Sequence, residues 1–109
     1  MSEAEELPAI VDLNPKKLIS RQTEAEMRPN MVDRLRKKLR KRGFDRSQPI
    51  EAVDIGGSLI IKDGHHRTAA AVREKLTSVP VRIYTVTGKE AAQYRVEVAE
   101  AEQSRNLDS

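Results

Sequence analysis

The stretch Leu59-Ile60-Ile61-Lys62-Asp63-Gly64-His65-His66-Arg67-Thr68-Ala69-Ala70-Ala71 changes from one periodicity to another at a single glycine. An aliphatic run of strand formers precedes Gly64, and an alanine-rich tract that reads as helix follows it to Leu76. A strand entering a helix through one glycine leaves the first helical amides without partners and aimed back at the turn, where they attract anions. Gly64 lets a ligand approach the backbone closely. Arg67 offers a planar fork for phosphate, and Thr68 a hydroxyl. His65 and His66 have the chemistry to donate to phosphate, shuttle protons or bind metal. Adjacent residues on a turn diverge, so one histidine is expected to face the ligand and the other to serve the structure. The plainer alternative is that Asp63 caps the helix while His65, His66 and Arg67 form a solvated polar turn. A metal site built from the two histidines lacks an evident third ligand, which Asp63 or Glu26 would supply only if the fold brought it near.

Ile50–Ile55 and Ser58–Lys62 flank Gly56-Gly57, which predicts a hairpin. A further strand is expected over Val79–Val86, and a short one over 9–13 that closes at Asn14-Pro15. Residues 16–27 alternate poorly and read as a loop with one helical turn. Asn30 to Arg42 predicts a helix, with Asn30 and Asp33 in capping-box positions, Met31, Val32, Leu35 and Leu39 on one face, and Gly43 at its end. Thr87 and Glu90 form a second capping box, opening a helix from about 88 to 103 with Ala91, Tyr94, Val98 and Ala101 as its apolar stripe. The expected order is βαββαβα: an α+β domain of helices packed on a small mixed sheet. Residues 1–8 read as a disordered acidic arm, 9–103 as the single domain and 104–109 as a disordered tail.

Composition narrows the function. The 109 residues suffice for one domain, and no apolar run approaches a membrane span. The acidic start MSEAEELPAI does not read as a signal peptide, so a cytoplasmic site of action is expected. Cysteine is absent, which excludes disulfides, thiolate metal sites and thiol nucleophiles. Aromatics make up 3% of the chain (Phe44, Tyr84, Tyr94), which argues against nucleic-acid binding by base stacking. The net charge of +3 is segregated, with −4 over residues 1–15 and +8 over residues 16–47. Such segregation points to an anionic partner. Arg34, Lys37, Lys38, Arg40, Lys41 and Arg42 are therefore candidates for contacting a nucleic-acid backbone. An acidic protein partner and plain solvation are the alternatives.

Asp63-Gly64-His65-His66-Arg67 followed by Thr68-Ala69-Ala70-Ala71 resembles the phosphate-binding motif of the ParB/sulfiredoxin superfamily. Leu13-Asn14-Pro15 with Leu18, Gln48-Pro49-Ile50 and Val79-Pro80-Val81 are similar to that superfamily's other landmarks, and the likeness spans residues 9–86. Residues 22–27 (QTEAEM), Gly43-Phe44-Asp45 and the His-His-Arg run look most like the ParB-like nuclease domains of bacterial polymorphic and contact-dependent toxins. His65 stands where sulfiredoxins carry their cysteine, which excludes that chemistry. Partition-type ParB proteins carry Gly-Glu-Arg-Arg and further domains, so their clamp closure with CTP is not expected here.

The resemblance implies that Gly64, His65, His66, Arg67 and Thr68 form a nucleotide-phosphate cradle with Gln48 and Pro49 at its rim. It also implies that Asp63 orients a histidine or a water bound to magnesium. Gln22 and Glu26 are candidates to close the pocket, although Glu26 reads first as a cap or salt-bridge residue. The expectation is a phosphodiester or phosphoanhydride hydrolase, with Asp63, His65, His66 and Arg67 catalytic, ATP or CTP as ligand or substrate, and Mg2+ as a candidate cofactor. As a toxin module it would be delivered into a target cell and paired with an acidic immunity protein. The alternatives are a non-enzymatic nucleotide- or DNA-binding module of plasmid or phage maintenance, and a small-molecule kinase.

Overall fold

The computed structural model of the chain describes residues 7–23 and 26–107. Residues 1–6 of the expected arm and 108–109 of the expected tail lie outside the described residues. The strands are β1 (Ile10–Leu13), β2 (Leu18–Ile19), β3 (Ile50–Ile55), β4 (Ser58–Asp63) and β5 (Val79–Tyr84). The helices are α1 (Pro29–Arg42), α2 (His65–Arg73) and α3 (Gly88–Leu107). The strands form one mixed sheet in the order β1-β5-β3-β4-β2. The β1/β5 and β3/β4 pairs are antiparallel, and β3/β5 and β2/β4 are parallel. None of the described helices is long and apolar enough to cross a membrane.

Period-two alternation divides the sheet between two cores. Ile50, Ala52, Ile61, Val79 and Val81 pack with Ala71, and Leu39, Phe44 and Leu76 lean against that cluster. Val53, Ile55 and Ile60 turn to the other face, where Ala91, Tyr94 and Val98 of α3 cover them. The molecule is therefore three layers, with α1 and α2 on one side of the sheet and α3 on the other. The central strands are covered on both faces, which is why they read as nearly continuous aliphatic runs. The hairpin forms as expected: Ile55 pairs with Ser58, and Gly56 and Gly57 take φ of 59° and 90°.

Several local expectations need correction. Residues 16–27 do share in one helical turn, a 3-10 turn over Pro15–Lys17, but they also include β2, two residues long and paired with Leu59 and Ile60. It was illegible because two residues carry no periodicity. Asn30 does not cap α1; Pro29 takes the first turn, and Arg28 is the N-cap without a side-chain bond. Met31 is exposed rather than on the buried face, which centres on Val32. α2 stops at Arg73 instead of Leu76, β5 ends at Tyr84, and α3 continues to Leu107. The second capping box does form, with Thr87 and Glu90 exchanging bonds at 3.1–3.4 Å.

Candidate functional site

The β4–α2 turn is built as its sequence demands. Gly64 is the N-cap of α2 with φ 108° and ψ 28°, a conformation costly for any residue with a Cβ. A Cβ there would also lie 3.0 Å from Arg67 Nη2 and 3.3 Å from Ile50 Cγ1. Asp63 makes no cap bond, so the capping alternative does not describe this turn. The first amide to return to the turn is that of Thr68, which donates to the Gly64 carbonyl at 2.8 Å. The amides of His65, His66 and Arg67 open the helix ahead of it without intrahelical partners, at the positive end of the helix dipole. Thr68 is buried and its hydroxyl also donates to the Gly64 carbonyl, at 2.8 Å, so it braces the turn from behind.

Arg67 is the residue held in place. Its Nη1 donates to the Gln48 carbonyl, its Nη2 lies 3.6 Å from Asp63 Oδ2, and its guanidinium sits 5.9 Å from the Phe44 ring centroid. Asp63 thus pairs with Arg67 and hydrogen-bonds neither histidine. Arg67 and Gln48 border a cavity of about 220 Å³ against the C-terminal half of α1, where Lys38, Arg42, Leu39 and Phe44 complete the wall. Among the described residues Asp45 is the one acid lining it, and hydrogen bonds from Ser47 hold its carboxyl below the usual range. Three cations against one anion make this cavity attractive to phosphate.

The two imidazoles differ in burial and in partner. His65 is buried, and its Nε2 accepts from the Arg21 amide at 3.4 Å, which assigns its proton to Nδ1. Burial pushes its pKa down to about 4, the neighbouring Arg21 and His66 charges add to this, and Asp63 and Glu26 oppose it. His66 is partly exposed, and its Nε2 accepts from the Arg28 amide at 3.3 Å. Both rings therefore pin the segment that joins β2 to α1 onto the start of α2.

Gln22 and Glu26 lie across the turn from the Arg67 cavity. They border a polar cavity of about 370 Å³ with Arg21, Lys62, Asp63 and Glu97. Glu26 is engaged locally, its Oε1 accepting from the Thr23 amide at 2.8 Å and hydroxyl at 3.3 Å, in the manner of a capping box. Among the described residues, no three His, Asp or Glu side chains gather where they could hold a metal ion. Pro49 is half-buried beside exposed Gln48.

Sequence reasoning missed Arg21, Phe44 as a wall of the Arg67 cavity, and the part Lys38 and Arg42 play there. Nothing local marks them; each acquires its role from residues 20 or more positions away.

No family description matches the sequence, and none of the curated proteins does either. Solved structures with the same architecture are found. Sulfiredoxin from Arabidopsis thaliana superimposes with a TM-score of 0.68 at 23% identity, over 80% of this chain and 97% of its own. The chromosome-partitioning protein ParB from Caulobacter crescentus, complexed with CTP-gamma-S, gives 0.61 at 21% identity over 87% of this chain. This chain spans about half of that ParB chain, with 53% covered. A free serine kinase in complex with AMP gives 0.59 at 17% identity, covering 75% of this chain and 35% of the kinase. With the mixed five-stranded sheet and three α-helices of its described residues, and with these neighbours, the chain has the ParB/sulfiredoxin-like fold.

Proposed function

We propose that the chain is a nucleotide-binding domain that takes the phosphates of CTP or ATP at the β4–α2 turn. The observation that carries this reading is the Arg67 guanidinium, on the first turn of α2 and held by the Gln48 carbonyl at the edge of a cation-lined cavity. The helix-opening amides of the same turn add donors. Two neighbours in fold support a nucleotide ligand, since one is complexed with CTP-gamma-S and another with AMP. Gln48 and Pro49 form the rim, and the missing Cβ of Gly64 lets the Arg67 guanidinium lie close against the turn. Magnesium would enter with the nucleotide, whose phosphates supply most of its ligands, and Asp63 is the exposed carboxylate on the turn.

A second reading, hydrolysis of a phosphodiester or phosphoanhydride bond as in a toxin nuclease, rests on Asp63 and His66 both reaching solvent on this turn. In it, Arg67 and the helix amides stabilise the charge on the reacting phosphorus, and His66 moves the proton. His65 is spent on structure in either reading. An acidic immunity protein as partner belongs to this second reading. Phosphoryl transfer to a small acceptor rests on the likeness to the serine kinase alone.

Calorimetric titration with CTP and ATP, with and without Mg2+, tests the first reading. Saturable binding is expected in the wild type, weakened at least about tenfold in Arg67→Ala, the scale of one charge-assisted hydrogen-bond pair. Equal binding by a folded Arg67→Ala removes the assigned site. Phosphate release or plasmid nicking that disappears in His66→Ala and persists in His65→Gln selects the hydrolase. Binding without turnover leaves a binding domain.

A further inference from the structure

The outward face of α1 carries cations that the fold does not use. Of its seven basic residues, Arg36 and Arg40 turn toward α2 and share Glu74, at 2.6 and 3.4 Å. Arg34, Lys37, Lys38, Lys41 and Arg42 are exposed and form no ion pair with any described residue. Asp33 is the only acid in the helix. The five lie at i, i+3, i+4, i+7 and i+8, one continuous stripe about 12 Å long at 1.5 Å per residue. Arg34/Lys38, Lys37/Lys41 and Lys38/Arg42 are like-charged pairs four apart, and each weakens the helix. A solubilising surface interleaves both signs and avoids that cost. A shallow groove of about 420 Å³ follows the stripe, bordered by these five cations with Met31 and Leu35.

We infer that this face of α1 binds the phosphate backbone of duplex DNA. A docked protein would call for aromatic anchors and few lysines, and this face has three lysines and no aromatic residue. Single strands are held largely by base stacking, for which the face offers nothing. Between duplexes, the major groove of B-form DNA admits a helix about 10–12 Å across, whereas that of A-form RNA is too narrow. Binding should be indifferent to sequence and steeply salt-dependent. Lys38 and Arg42 also border the Arg67 cavity, whereas Arg34, Lys37 and Lys41 lie outside it and belong to this face alone.

Fluorescence anisotropy with the full chain and two unrelated 20-base-pair DNA duplexes, over 50–200 mM NaCl, tests this. Both duplexes should bind alike, with log K falling against log salt at a slope of roughly −4 to −5 for five phosphate contacts. The Arg34→Glu/Lys37→Glu/Lys41→Glu variant, with circular dichroism showing it folded, should bind at least about a hundredfold more weakly at 50 mM salt. The same triple variant should bind CTP as the wild type does, which separates this surface from the nucleotide site. Three outcomes overturn the inference: no duplex binding at 50 mM salt, undiminished binding by the folded triple variant, or tighter binding to an RNA duplex of the same sequence.

Discussion

His65 holds its place by staying neutral. Its ring is buried, accepts from the Arg21 amide and has the Arg21 guanidinium nearby, so a second ring proton would remove an acceptor and set two cations together. Its pKa lies at about 4 in the fold, against 6.5 for the free side chain. Between those values the unfolded chain binds a proton that the folded chain does not. This part of the stability is therefore complete above pH 6.5 and is lost as the pH falls through about 4, to the extent of roughly 3 kcal/mol. Urea unfolding at pH 7.5 and pH 4.5 should show the loss. His65→Gln, which keeps an acceptor near Nε2 without titrating, should lose less over that interval. An identical loss in the two proteins would remove His65 as the cause.

Among the elements, α2 shows how a sequence tract and its structure part company. The alanine-rich run is helical by propensity as far as Leu76, yet the helix closes three residues earlier. The Leu76 amide donates to the Ala71 carbonyl and the Lys75 amide to that of Val72, each at 3.0 Å, with Lys75 at φ 60°. This is a Schellman closure with lysine in the left-handed position glycine usually fills. It forms because Leu76 must turn back onto the core so that β5 can run beside β3. Lys75→Gly should therefore stabilise the protein by about 0.5–1 kcal/mol, read as a raised Tm. No change would mean that Lys75 is held by contacts its side chain makes. At α1 the outcome was opposite: Asn30-x-x-Asp33 had the spacing of a cap, but Pro29, with its fixed φ, had already begun the helix.

Across the whole molecule, Arg21 joins the layers. Its Nε and Nη2 donate to the carbonyls of Ile61 and Lys62, both at 2.8 Å, on the edge of β4 where β2 has already ended. Its Nη1 meets Glu97 of α3 at 2.8 Å, and its guanidinium lies 4.9 Å over the Tyr94 ring. One side chain thus finishes a sheet edge and fastens the helix behind it. Arg21→Met should cost about 2–3 kcal/mol and lower hydrogen-exchange protection in the Glu97 region of α3. Arg21→Lys should rescue little, because a point charge cannot serve two carbonyls and a carboxylate together. Unchanged protection in Arg21→Met would detach α3 from this role.

The sequence by itself determined the elements whose signals are local. Gly56-Gly57 specified a hairpin through positive φ, Gly64 specified the strand-to-helix turn, and Thr87 with Glu90 specified the start of α3. It also segregated the charge and brought the residues around Gly64 together, since neighbours in sequence need no fold to meet. Only the tertiary structure decided what each side chain at that turn faces. Arg67 meets Gln48 and Phe44, the rings of His65 and His66 accept from amides some forty residues away, and Glu74 claims two of the seven cations of α1. Those pairings join segments separated by 19 to 44 residues. Spacing along the chain holds no record of them, because packing the helices on the sheet sets which distant groups share the same few ångströms.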